Sequence, residues 1–184
     1  MTQNKIKIFV VCIVLSVLAF LSWRLLSTKA GHDEFVYPER TFTFPPHFVK
    51  DPGQAGKDTL DGIDSDHDGV RDDLQRWIYA RFPYDPKKRG ALKQAVVVFQ
   101  DYLNIDESDF KQRRKVEDQM LKAMHCLDFR MGIENSNDEL KYIQAKSLNT
   151  KLRTERYFEV SKAFEGEFFS DAFDSNESAC EYDY

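Results

Sequence analysis

Asp64-Ser65-Asp66-His67-Asp68-Gly69-Val70-Arg71-Asp72-Asp73 sets a carboxylate at every second position three times over and then a glycine. Calcium takes roughly six to eight hard oxygen ligands, and a short loop of alternating Asp can wrap three of them onto one ion. Asp64, Asp66 and Asp68 fall at ligand positions 1, 3 and 5 of such a loop. Gly69 stands where the chain must turn back sharply, a place for a residue without the Cβ penalty at positive φ. Val70, at position 7, would offer its backbone carbonyl and leave its side chain for the core. His67, at position 4, is expected to point away from the ion. Without a cation, the stretch would be an acidic turn capping the next helix, since Asp suits a cap and acids suit a helix N-terminus. One Asp would suffice for that, and three like charges at alternate positions repel one another unless a cation joins them. Calcium is favoured over magnesium, which dehydrates reluctantly and rarely takes an all-protein cage.

These residues resemble the DxDxDG calcium loops of EF-hands, dockerins, thrombospondin type 3 repeats and the Excalibur motif. The likeness covers this loop and not the rest of the chain. It implies Ca2+ as the cofactor, in a bacterial membrane-anchored protein. It departs from an EF-hand at position 12, where Gln75 replaces the bidentate Glu. It departs again before Asp64, where Asp51-Pro52-Gly53-Gln54-Ala55-Gly56 reads as loop and no entering helix is expected. The later ligand then falls to Asp73, at the Excalibur position, or to Asp72, directly or through a water. The sequence leaves both open.

Working outward, the N-terminus is the second strong feature. Ile6 to Leu26 is apolar except for Lys7, Ser16, Ser22 and Arg24. Its uninterrupted part, Ile8 to Trp23, is about 16 residues long, near the lower limit for spanning a bilayer. Snorkelling of Lys7 and Arg24 would stretch it, and Trp23 sits where an interfacial anchor belongs. Thr28-Lys29-Ala30 imitates a signal-cleavage site poorly, and the apolar run exceeds the usual signal core. Cys12 lies inside that run and does not read as a lipoprotein site. Residues 1–30 are therefore expected to be an uncleaved signal anchor or transmembrane segment, with secretion after cleavage as the alternative. Lys5, Lys7 and the start amine oppose Arg24 and Lys29, which only weakly favours a cytoplasmic N-terminus. A weak calcium loop strengthens that orientation, because it fills only where calcium is near millimolar. The expected product is a single-pass membrane protein with a periplasmic or otherwise extracytoplasmic C-terminal domain.

Residues 1–30 hold four basic groups and no acid, which leaves 22 basic against 31 acidic groups, a net of −9. That balance argues against nucleic acid as a partner. The basic clusters Lys87-Lys88-Arg89 and Arg113-Arg114-Lys115 read as solvated helix surface. Residues 31–57, with Pro38, Pro45, Pro46 and Pro52, are expected to be an extended Pro-rich tether. Phe42-Thr43-Phe44 alternates like a short strand that Pro45-Pro46 stops. The tether's aromatics, among them Phe44 and Phe48, are expected to lie along the domain surface.

Residues 58–184 make the calcium-loop domain and its acidic C-terminal tail. Val70, Leu74, Trp77, Ile78 and Arg81 form one helical stripe, ended by Pro83. Leu92, Ala95, Val96, Phe99 and Leu103 form a second. Val116, Met120, Ala123, Met124 and Leu127 form a third, stopped at Gly132. Ser136-Asn137-Asp138-Glu139 reads as a capping box opening a fourth helix. Asn149-Thr150 breaks the path to a fifth, which carries Tyr157, Val160, Phe164 and Phe168. No sustained strand pattern appears, so the fold is expected to be all-α, a small helical bundle entered through an EF-hand-like calcium loop and preceded by a transmembrane or signal-anchor helix.

Cys126 and Cys180 are the pair outside the membrane run, and an even pair in an exported domain suggests a disulfide. It would close a loop of about 54 residues, stabilising by about 3–4 kcal/mol through chain entropy. Two free thiols are the alternative. No nucleophile elbow, phosphate loop, zinc signature or nucleotide turn is present in the sequence. The chain is therefore expected to be a membrane-anchored cell-envelope protein and not an enzyme. It would act as a structural or protein-interaction module with a protein partner and no small-molecule substrate. The alternative is an exported hydrolase whose calcium is structural.

Overall fold

The computed structural model describes residues 43–165 and 175–182. Among them are five α-helices and no strand: α1 (Asp72–Arg81), α2 (Pro86–Asn104), α3 (Phe110–Met131), α4 (Ile133–Ser147) and α5 (Lys151–Ala163). The expected anchor of residues 1–30 lies outside the described residues, as do Phe42 and Phe168. Among the described residues no helix is long and apolar enough to cross a membrane.

Local chemistry sets most boundaries. Asp85 caps α2 by accepting from the Lys88 backbone N–H at 3.0 Å, and Pro86 fills the first turn, where its missing N–H costs nothing. Asp109 caps α3 through the N–H groups of Lys111 and Gln112. Thr150 caps α5 through Arg153, so Asn149-Thr150 is a true break. Gly132, at φ 80°, ends α3 as expected, and it also opens α4. The capping box is therefore a misreading. The Gly132 carbonyl already accepts the Ser136 N–H at 2.9 Å, so Ser136 lies inside the helix. Its hydroxyl lies within hydrogen-bond reach of Asp128 and of the Ile133 carbonyl, and Glu139 is buried against Arg81 at 2.7 Å.

α2 is the central helix. It packs against α1, α3, α4 and α5, which is why its stripe of Leu92, Ala95, Val96, Phe99 and Leu103 is buried. Val70, Leu74 and Ile78 meet it from the loop and α1, with Ala123 and Leu127 from α3 and Ile143 from α4. Each large side chain buried in this way contributes about 1.5–3 kcal/mol. Met124 departs from its expected stripe and is 37% exposed. A smaller cluster of Ile105, Val116 and Val160 is roofed by Tyr102 and Phe164, whose rings stack at 5.3 Å. Arg156 of α5 closes the C-terminal end of α2 by donating to the carbonyls of Leu103 and Ile105.

Two peripheral segments lie on this bundle. Phe44 and Phe48 stack at 5.0 Å, and Phe48 lies 4.6 Å from the Tyr79 ring of α1. The Arg76 guanidinium covers Phe44 and donates to the carbonyl of buried Val49. At the other end of the chain, Cys126 and Cys180 are joined by a disulfide. Gln94 clasps the same segment from both sides, donating to the Ala179 carbonyl and accepting from the Glu181 N–H.

Candidate metal centre

The loop that leads into α1 is closed by its own backbone and by a brace from α2. The Asp72 N–H donates to the Ile63 carbonyl at 2.8 Å, which brings the start of the loop back to its end. Gln100 reaches over from α2 and pairs as a peptide group would, donating to the Gly69 carbonyl at 2.9 Å and accepting from the Arg71 N–H at 3.1 Å. His67 and Gly69 both take positive φ, 57° and 87°, and this coils the chain tightly between Asp66 and Val70. The Val70 side chain is fully buried in the core, so the loop is fixed to the bundle at its midpoint.

That coil brings carboxylate oxygens of Asp64, Asp66 and Asp72 within 4.8 Å of one another. Asp64 is partly buried, Asp66 exposed and Asp72 buried. Backbone N–H groups steady the cluster: Asp68 and Gly69 donate to Asp64, and Ser65 donates to Asp72 at 2.8 Å. Asp72 also lies in the first turn of α1, where the helix dipole favours negative charge. Burial pushes the Asp66 carboxyl up, but the hydrogen bond from the Gln75 amide, a proton shared with Asp64, and hydrogen bonds from backbone groups outweigh it and hold the carboxyl below its ordinary value.

The remaining acids of the motif are placed elsewhere. Asp68 accepts from the Val70 N–H through one oxygen and meets the Lys93 ammonium at 2.8 Å through the other. Asp73 is not part of the cluster. Its two oxygens receive the Nε and Nη2 of Arg71 at 2.9 and 2.8 Å, and Asn149 donates to it as well. Burial pushes Asp73 up, but the Arg71 guanidinium and Asn149 more than offset this and keep the carboxyl below its usual range. Of the two candidates for the later position, then, Asp72 joins the cluster and Asp73 does not. Gln75 sits beside the cluster with its amide nitrogen 2.9 Å from Asp66 and 3.3 Å from Asp68.

Arg71 belongs to a buried network behind the loop. It donates to the carbonyls of Ser147 and Lys146 at the end of α4. Arg153, fully buried, donates to Leu60, Gly56 and Thr59 carbonyls and to the Asn149 side chain. The two arginines approach so closely around Gly62 that a Cβ there would sit 2.8 Å from Arg153 Nη2 and 2.9 Å from Arg71 Cδ. Nothing local in the sequence announces this network, because its partners are up to 97 residues apart. Lys93 and Gln100 were equally silent, since both sit on a helix whose apolar stripe is the only periodic signal.

Chemically the cluster is an all-oxygen set of three carboxylates. It suits a hard divalent cation, whereas zinc and copper sites call for His or Cys nitrogen and sulfur. The chain matches no known protein family, no curated protein and no solved structure.

Proposed function

We propose that this is a membrane-anchored, calcium-braced protein of the cell envelope whose helical domain binds another protein. The observation that carries the reading is the convergence of Asp64, Asp66 and Asp72 where the loop enters α1. Three carboxylates so close repel one another, and a hard cation is the simplest neutraliser. Asp64, Asp66 and Asp72 would hold the ion, with the Val70 carbonyl and water as further ligands, and Asp68 would join by exchanging Lys93 for it. When bound, calcium supplies positive charge and ties the loop to the first turn of α1.

Export is supported by the apolar run of Ile6 to Leu26 and by the Cys126–Cys180 disulfide, since such bonds persist in oxidising compartments. A binding role is supported by aromatic side chains on the surface. Tyr84 is 72% exposed, and Phe110 and Phe158 are each 60% exposed. Aromatic residues are enriched where proteins meet. Calcium with an affinity typical of extracellular modules stays bound under constant external calcium, so its part is a brace and not a switch.

A thermal melt of the full chain with calcium and with chelator tests the brace. For a dissociation constant near ~0.1 mM and ~1 mM free calcium, the expected gain is roughly 1.4 kcal/mol. Asp64→Ala should abolish the difference, and His67→Ala should keep it. Equal melting temperatures for the unaltered protein would refute the reading.

A further inference from the structure

On the side of the loop that faces α2 there is a small cavity of about 50 Å³. Its polar lining is Asp68 and Gln75 from the loop and α1, and Arg89 and Lys93 from α2, with Val70 and Ile78 as apolar walls. Two of these groups have a buried atom without a hydrogen-bond partner among the described residues: the Gln75 Oε1 acceptor and the Arg89 Nε donor. Arg89 is only 9% exposed, and its Nη1 is already committed. Nη1 donates to the carbonyls of Phe82 and Pro83, and the group stacks 4.4 Å over the Tyr79 ring. A buried polar atom left unmatched is costly, and these two belong to residues that line one cavity.

We propose that this cavity is a binding site for an ordered water that joins Gln75 Oε1 to Arg89 Nε. The volume allows it, because about 10–15 Å³ of such space holds one water. The chemistry selects water over an ion. The lining supplies two kinds of donor, the Arg89 Nε–H and the Lys93 ammonium, and two acceptors, Gln75 Oε1 and the Asp68 carboxylate. That matches the two hydrogens and two lone pairs of one water molecule. A cation would meet Arg89 and Lys93, and an anion would meet Asp68. The water would fix the Gln75 amide with its oxygen toward α2 and its NH2 toward Asp66 and Asp68. This inference concerns the calcium-free loop, in which Asp68 is paired with Lys93.

A crystal structure of the full chain at a resolution that shows ordered solvent is the direct test. The expected result is water density within hydrogen-bond distance of both Gln75 Oε1 and Arg89 Nε. In solution, the Arg89 Hε should show a nuclear Overhauser cross-peak to a long-lived water, and Gln75→Met should lose it. A dry cavity, density with ion-like coordination, or an Arg89 Hε without that cross-peak in the unaltered protein would overturn the proposal. The measurements on unaltered protein decide the matter if the variant fails to fold.

Discussion

Asp72 and Asp73 are neighbours in sequence and belong to opposite electrostatic regimes. Asp72 faces a cluster in which three carboxylates crowd within 4.8 Å. Asp73 faces a buried network where two arginines, an asparagine and a row of backbone carbonyls take up almost every donor. The arginine side finds its acceptors within the protein, although burial and the neighbouring Arg71 push Arg153 down. The acidic side has negative charge in excess and calls for something from outside. One turn of helix thus divides an acidic run into a structural half and a ligand-seeking half, and the division is set by which way each side chain leaves α1.

The largest expected effect comes from breaking the arginine half. Asp73→Ala leaves the Arg71 guanidinium, whose side chain is 2% exposed, without its carboxylate, and should destabilise the fold by about 3–5 kcal/mol in chemical denaturation. Asp64→Ala in chelator should cost less, since the repulsion it relieves offsets the loss of its bonds from the Asp68 and Gly69 N–H groups. Similar losses for the two variants would erase the contrast. The acid sensitivity follows the same logic. A carboxyl held below its ordinary value stabilises fully above the unfolded pKa of about 3.9 and loses that contribution as pH falls through its folded value. Asp73→Asn should therefore flatten the loss of stability below about pH 4.

Next in size is the disulfide. Cys180→Ser opens a loop spanning 54 residues, worth about 4 kcal/mol by chain entropy. The Gln94 clasp and the Lys122–Glu181 pair still hold the tail segment, so melting should show a lower temperature with the fold retained. The loss should be equal with and without calcium, because neither half of the comparison includes this bond. A calcium-dependent loss would mean that the two halves and the tail form one unit.

A smaller effect sharpens the acidic half. Gln75 presents its NH2 to Asp66 and Asp68, where an acceptor would serve a cation better. Gln75→Glu should raise calcium affinity by roughly tenfold, or about 1.4 kcal/mol, in calorimetric titration. Unchanged or weaker binding would show that position 12 does not face the ion.

Much of the bundle was legible because it rests on local signals. The stripe of α2 is buried as its spacing implied, and Pro83, Gly132 and Thr150 punctuate the helices where their backbone chemistry requires. The capping box failed because Gly132 opens that helix four residues earlier by a backbone route. At the candidate site, the spacing singled out Asp64 and Asp66, but it could not divide Asp72 from Asp73. That choice depends on Arg71 meeting Asn149, and on Arg153 reaching back to Gly56, contacts that no local pattern encodes. Asp68 was read with its neighbours as a ligand, whereas Lys93, 25 residues away, holds it in an ion pair.

The most direct measurement is a crystal structure of the full chain grown with calcium. The account predicts one ion bound by Asp64, Asp66 and Asp72 at roughly 2.3–2.6 Å, with Asp73 still paired to Arg71. A calcium-soaked crystal with water alone between those three carboxylates, or an ion held by Asp73 instead, would contradict it.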